Sequence, residues 1–271
     1  MMKSKIRFLL ALPYYLWLLF FVITPLGLIF YRSFFDHHGQ FTFANYIHFF
    51  TRMEYLQMTF NSFLVAGGVT LITLLIAYPT AYFLSKSVHK ELGILLIIIP
   101  TWINLLLKTY AFIGILSHSG LVNQWIEWLG LPAIKLLFTK PSFILVASYI
   151  ELPFMILPIY NSIDEISTSL SEASADLGAT AWQTVHKVLI PLSLPGIRSG
   201  VQAVFIPTLS LFMIARLIGG NRVITLGTAI EQHFLTTQNW GMGSAIGVIL
   251  TLMMFLVMFL TRERQKGGDV K

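Results

Sequence analysis

Apolar positions along the chain gather into long unbroken runs, not into the two-residue alternation of half-buried strands or the narrow stripe of surface helices. Six runs stand out: Phe8–Phe30, Phe60–Leu84, Leu92–Leu116, Phe143–Tyr160, Ile197–Leu217 and Ala245–Leu260. A helix rises 1.5 Å per residue, so about 20 apolar residues cross ~30 Å of hydrocarbon. In lipid only helices and closed barrels satisfy their own backbone hydrogen bonds, and the runs lack the ten-residue alternation of barrel strands. The pattern predicts an all-α integral membrane protein with about six transmembrane helices. The fourth run carries Glu151, Pro153 and Pro158, and the fifth carries Arg198, Pro207 and Arg216. Proline removes a backbone donor and kinks a helix, so these two spans are expected to face protein. The basic start, Met1-Met2-Lys3-Ser4-Lys5-Ile6-Arg7, precedes an apolar run longer than a signal-peptide core and followed by no small-x-small site, which predicts an uncleaved first span. Residues 1–59 are therefore read as the first span with an outer loop, 60–260 as a transmembrane core containing the inner loop 161–195, and 261–271 as a tail.

Composition excludes the soluble alternative. Of 271 residues, 56% are hydrophobic and 11% charged, with a mean hydropathy of +0.75, whereas a soluble domain carries about 25% charge. With no cysteine there is no disulfide, thiolate nucleophile or cysteine metal site. The seven histidines show no metal-ligand spacing, and His37-His38 reads as a solvated pair on an outer loop, so no metal is expected. The net charge of +6 forms no basic stripe, which argues against nucleic acid. The cations instead sort by side. Lys3, Lys5, Arg7, Lys86, Lys90, Lys187, Arg198, Arg262, Arg264, Lys266 and Lys271 fall on the side of the termini. Arg32, Arg52, Lys135, Lys140 and Arg222 fall on the other, with Lys108 and Arg216 near outer span ends. This predicts a multi-pass protein with both termini cytoplasmic. The outer segments Phe41–Tyr46 and Trp125–Leu129 are aromatic and amphipathic, suited to interfacial anchoring or to docking an extracellular partner. Gly243 and Gly247 form a G-x-x-x-G pair, a helix-packing pattern. No G-x-x-x-x-G-K-[ST], H-E-x-x-H or G-x-S-x-G is present, so no catalytic residue is expected in this chain.

The inner loop carries the sharpest pattern. Ser169-x-x-Glu172 predicts a capping box and a helix start at Ser169. Ala173, Ala175, Asp176 and Leu177 continue the helix, and Gly178 is placed to end it in the left-handed conformation. Thr180-x-x-Gln183 opens a second helix, which Pro191 is expected to end. The first helix is too short to stand alone. Its small residues Ala173, Ser174 and Ala175 would let another surface approach.

Glu172-Ala173-Ser174, then Gly178, then Val188-Leu189-Ile190-Pro191 resembles the EAA motif of inner-membrane permease subunits of ABC importers, with Ser174, Val188 and Ile190 as size-conserving departures. Pro100–Tyr110, Leu152–Tyr160 and Leu217–Asn221 extend the resemblance to spermidine/putrescine importer permeases over most of residues 61–260. The resemblance implies the type I ABC importer transmembrane fold in a bacterial inner membrane. It implies a coupling role toward an ATPase for Glu172, Ala173, Asp176, Leu177, Gly178 and Pro191. It further implies a homologous second permease, two copies of an ABC ATPase holding ATP and Mg, and an extracytoplasmic polyamine-binding protein; this chain itself would bind no cofactor. The residues leave other solutes open, and an ion-coupled secondary transporter as the less favoured alternative.

A polyamine path should offer carboxylates and aromatic faces. Glu151 is either such a group or a structural partner of Lys108 or Arg216, since a carboxylate inside a span is costly. Trp102, Asn104 and Tyr110 either line the path or serve packing and interfacial anchoring. Glu231 and Trp240, on the last outer loop, are weaker candidates beside their roles as loop acid and belt residue.

Overall fold

The computed structural model describes residues 2–261, without the side chains of residues 2–9 and 221. The tail 262–271 and the terminal cations Lys3, Lys5, Arg7, Arg262, Arg264, Lys266 and Lys271 lie outside that description. In the first part of the chain the helices are α1 (Met2–Leu18), α2 (Thr24–Arg32), α3 (Ala44–Thr51), α4 (Met53–Ser85), α5 (Lys90–Ile98), α6 (Leu105–Leu116), α7 (Leu121–Trp128) and α8 (Lys140–Asp164). They continue as α9 (Thr168–Asp176), α10 (Ala181–Thr184), α11 (Ile190–Leu192), α12 (Leu194–Leu209), α13 (Phe212–Leu217), α14 (Leu226–Glu231) and α15 (Trp240–Thr261).

Among the described residues, five stretches are long and apolar enough to cross a membrane: Leu10–Arg32, Met53–Ser85, Leu105–Trp128, Lys140–Asp164 and Trp240–Thr261. The pair Ala181–Leu192 and Leu194–Leu209, bent by 68°, makes a sixth if taken as one. The third and fifth runs differ from expectation. Pro100 sits in a 3-10 turn, Ile103 is extended, and the Asn104 side chain starts α6 by accepting the Leu106 N–H at 2.8 Å. A proline without a donor followed by a strong N-cap residue divides that run. In the fifth, α12 stops at Leu209, where the Pro207 carbonyl accepts from both Ser210 N–H and Ser210 Oγ, and the chain turns at Leu211 before α13.

The chain divides into two compact units, Met1–Met58 with Ala229–Met253 and Thr59–Thr228 with Met254–Lys271. In the first, the Asn45 amide donates to the Ser33 and Phe35 carbonyls at 3.0 and 2.9 Å and pins the loop after α2. The Phe34 ring sits among Phe41, Phe43 and Tyr46. Gly241 packs on this loop so closely that a Cβ would overlap the Phe35 carbonyl oxygen, and Gly243 lies against His233 and Phe234.

The second unit is built around α8. Phe143, Val146, Ala147, Met155, Ile156 and Ile159 are buried along it. α4 contributes a stripe of mostly small residues at helical spacing: Ser62, Val65, Ala66, Val69, Thr70, Thr73, Ala77 and Ala81. Lipid is as apolar as leucine, so contact between such helices is driven by close packing and not by water exclusion. Gly196 of α12 shows how close: a Cβ there would overlap the Pro158 carbonyl oxygen of α8.

Candidate functional site

The α8–α12 connection folds through local hydrogen bonds. α9 starts at Thr168, one residue earlier than expected, with Ser167 at the cap position and no side-chain cap bond. Ser169 is thus already inside the helix, and its hydroxyl bonds Ser167 Oγ at 2.7 Å, so the Ser169–Glu172 box does not form. The C-terminus behaves as expected. Gly178 has φ +79°, its N–H reaches the Ala175 carbonyl at 2.8 Å, and the Ala179 N–H reaches the Ser174 carbonyl at 3.1 Å. These two bonds form a Schellman closure. No atom lies within 4 Å of a Cβ built at Gly178, so the constraint there is backbone conformation and not space.

Thr180 and Gln183 form a complete capping box. Ser174 Oγ and Thr184 Oγ1, 2.7 Å apart, fasten α9 to α10. Pro191 does not end the second helix. A π-turn over Val185–Leu189 widens the helix ahead of the proline, and helix continues to Leu192. The wide turn gives the proline ring the room that a regular α-turn denies it.

Glu172, Ala173, Asp176, Leu177, Gly178 and Pro191 are all exposed. Leu177 is 88% exposed and Trp182, stacked on His186, is 74% exposed. A nine-residue helix with no buried residue and bare apolar side chains beside it lacks a packing surface among the described residues. Trp182 was not singled out by the sequence pattern; a large apolar residue just inside a predicted capping box was the available signal. At the edge of this region Lys90 bonds Asp164 at 2.9 Å, and that hydrogen-bonded carboxylate holds the Lys90 ammonium pKa above its ordinary value.

The second constellation lies on α8. Glu151 is 6% exposed and makes no hydrogen bond or ion pair within 4 Å among the described residues. Its charged neighbour is Lys108 of α6, close enough to act on it electrostatically but not to bond it. The structural ion pair with Lys108 is therefore absent. One turn earlier on the same helix, Ser148 Oγ is sealed from solvent without a partner. Thr70, Thr73 and Thr208 show the usual solution, donating to a carbonyl one turn back. Pro153 has no N–H to give the Tyr149 carbonyl. Ser148, Glu151 and that carbonyl thus gather acceptors on one stretch of α8. Phe112 of α6 meets the Tyr149 ring at 5.0 Å.

Trp102, Asn104 and Tyr110 do not join this group. Trp102 and Tyr110 are 76% and 58% exposed. The Asn104 carbonyl oxygen is engaged in capping α6. Trp240 is exposed at the start of α15, in the other compact unit together with Glu231.

No family model matches the chain. It is 35% identical over 260 residues to the spermidine/putrescine transport system permease protein PotB of Haemophilus influenzae, covering 92% of this chain and 91% of that protein. The Escherichia coli K12 protein of the same name is 35% identical over 254 residues, covering 90% and 92%. The fold matches a chain of a bacterial alginate ABC transporter crystallised with its alginate pentasaccharide-bound periplasmic protein, with a TM-score of 0.79 at 18% identity over 96% of this chain and 93% of that one. A full-length likeness of this size, on an ABC transporter permease fold with several membrane-crossing helices, places the chain in the PotB family of membrane permease proteins.

Proposed function

We propose that this chain forms half of the translocation path of an ATP-driven importer of polyamines, spermidine or putrescine. The observation that carries the reading is 35% identity to named spermidine/putrescine permeases over about nine-tenths of both chains. The sequence contains no phosphate-binding loop, so ATP and Mg belong on a partner ATPase. The surface left bare by Glu172, Leu177, Gly178 and Trp182 is where two copies of that subunit, one per permease, would seat. A homologous second permease completes the path, and an extracytoplasmic binding protein delivers the solute. The cation asymmetry of the loops supports cytoplasmic termini.

Within this picture the chain does no bond chemistry. Closure of the ATPase dimer moves the fastened α9–α10 pair as one body, because the Schellman turn, the capping box and the Ser174–Thr184 bond leave it little freedom to deform. α12 follows, being continuous with that pair through a single bend. The solute then experiences two states with different affinity. In α8, the Glu151 carboxylate offers an acceptor to an ammonium group, and the sealed Ser148 hydroxyl one turn earlier adds an unused polar group beside it. Trp102 and Tyr110 would meet the solute only if the partner permease brings their exposed faces to the path.

Uptake of labelled spermidine, putrescine and an unrelated cation by proteoliposomes holding the complete importer tests this directly. ATP-dependent uptake of the polyamines alone is the expected result. Uptake that needs no ATPase subunit would mean an ion-coupled carrier, and uptake of neither polyamine would mean another solute.

A further inference from the structure

A crevice of about 690 Å³ in the first unit plays no part in the transport reading. It opens where Leu10–Arg32 ends and Trp240–Thr261 begins. Both are ends of membrane-crossing stretches, so the crevice lies at the depth of lipid headgroups. Leu28 and Ile29 form its apolar wall on the span side.

The polar side is unusual in its charge. The Arg32 guanidinium has no hydrogen-bond or ion-pair partner among the described residues. Asp36 also lines the crevice. Its Oδ1 accepts from the His38 and Gln40 N–H groups at 2.9 and 2.8 Å, while Oδ2 accepts nothing among the described residues. The two opposite charges share one crevice without pairing. Deeper in, Ser244 is 2% exposed and its hydroxyl bonds nothing among the described residues, yet it is not sealed off, since Ser148 Oγ is the one sealed orphan there. The loop is held by Asn45 and by the 2.6 Å Ser33–Tyr46 hydroxyl bond, so the Asp36 carboxylate is positioned in advance.

A free cation, a fixed anion, an indole and an apolar wall match a headgroup carrying both signs. A guanidinium suits a phosphate diester. A carboxylate oxygen with an open lone pair suits an ammonium that still has N–H to donate, and the Trp240 face adds cation–π attraction. The Ser244 hydroxyl suits an ester oxygen. A polyamine would meet Arg32 as a like charge, and an anionic lipid would leave Asp36 opposed. We infer that this crevice binds a phospholipid with a primary-amine headgroup, of the phosphatidylethanolamine class, with its acyl chain along Leu28 and Ile29.

The test is native mass spectrometry of the complete importer, delipidated and then offered phosphatidylethanolamine, phosphatidylcholine and phosphatidylglycerol. Phosphatidylcholine keeps both charges but has no N–H to donate. The wild type should retain phosphatidylethanolamine roughly tenfold better than either, the scale of one hydrogen bond to a charged group. Arg32→Gln and Asp36→Asn should each erase that preference. Asparagine keeps the Oδ1 acceptor that holds the loop, so the second variant separates binding from folding. Arg52→Gln, an exposed cation outside the crevice, should change nothing. The proposal fails if the wild type shows no headgroup preference or if both variants keep it. It also fails if spermidine displaces the lipid, or if Arg32→Gln weakens capture of the binding protein while lipid retention is intact.

Discussion

α8 and α9 follow one another in the chain and meet opposite surroundings. The most apolar window of α8 is 61% buried, and its course is set by packing against α12. α9 buries nothing, and its course is set by hydrogen bonds within twenty residues of sequence. The contrast separates two ways of making a machine part. A buried span tolerates no added volume but can hold an unpaired carboxylate in a defined place. An exposed helix tolerates volume but not a change of backbone conformation, because nothing outside the segment would restore it. Substitutions in the two regions should therefore fail differently.

The largest effect is expected at the α8–α12 contact. Gly196→Leu puts a side chain into the Pro158 carbonyl, which backbone cannot yield, and size-exclusion chromatography should recover no assembled importer. The milder Gly196→Ala should lower the thermal midpoint of the assembled importer, by about 1–3 kcal/mol of overpacking. If Gly196→Ala is as stable as wild type, α8 is not held by packing as described.

Glu151→Gln comes next. It keeps shape and removes charge, so assembly should persist while polyamine uptake falls roughly tenfold, the scale of a hydrogen bond to a charged group. Ser148→Ala should fall short of that. Wild-type uptake by Glu151→Gln would remove the carboxylate from the path.

In the exposed segment Thr180→Ala breaks the capping box and should cost about 1 kcal/mol locally. The expected signature is a partial drop in transport per ATP hydrolysed, with thermal stability unchanged. A matching loss of global stability would contradict the view that this segment stands apart from the core.

The smallest effect lies outside both stretches. His233 accepts or donates one hydrogen bond with Tyr55 at 3.1 Å, and burial holds its pKa below the ordinary 6.5. The folded protein thus binds that proton less readily than the unfolded chain. Stability from this site is full above about pH 6.5 and is lost as pH falls through the lowered folded value. A thermal midpoint measured from pH 7.5 to 5 should decline, with a shallower slope in His233→Gln. Coupling by α9, with no buried residue, should not follow the same curve.

Much of this is legible in the sequence. Four of the six apolar runs became long helices, because twenty apolar residues in lipid have few alternatives. Gly178 was legible because a helix end followed by another helix needs a positive φ. The true start of α9 is not legible, since Ser167 and Thr168 can start the same helix as Ser169 and the sequence cannot rank adjacent serines. The break at Ile99–Asn104 is masked by the surrounding leucines, although Pro100 and Asn104 are a proline and a good cap in succession. Glu151 stood out as a carboxylate in an apolar run. Ser148 could not, because a serine in a span ordinarily bonds its own helix, and only the fold shows that this one does not. The Arg32–Asp36 crevice was invisible for another reason: it needs two segments two hundred residues apart.

The central claim is that the α9 segment transmits the work of an ATPase on a partner chain. Reconstituted complete importer carrying Gly178→Val should be measured for ATP hydrolysis and spermidine uptake in the same vesicles. A β-branched residue at φ +79° must rebuild the Schellman turn. The variant should assemble and hydrolyse ATP while uptake per ATP falls by about fivefold or more, the range of a coupling energy. Uptake per ATP equal to wild type in an assembled complex would contradict the account.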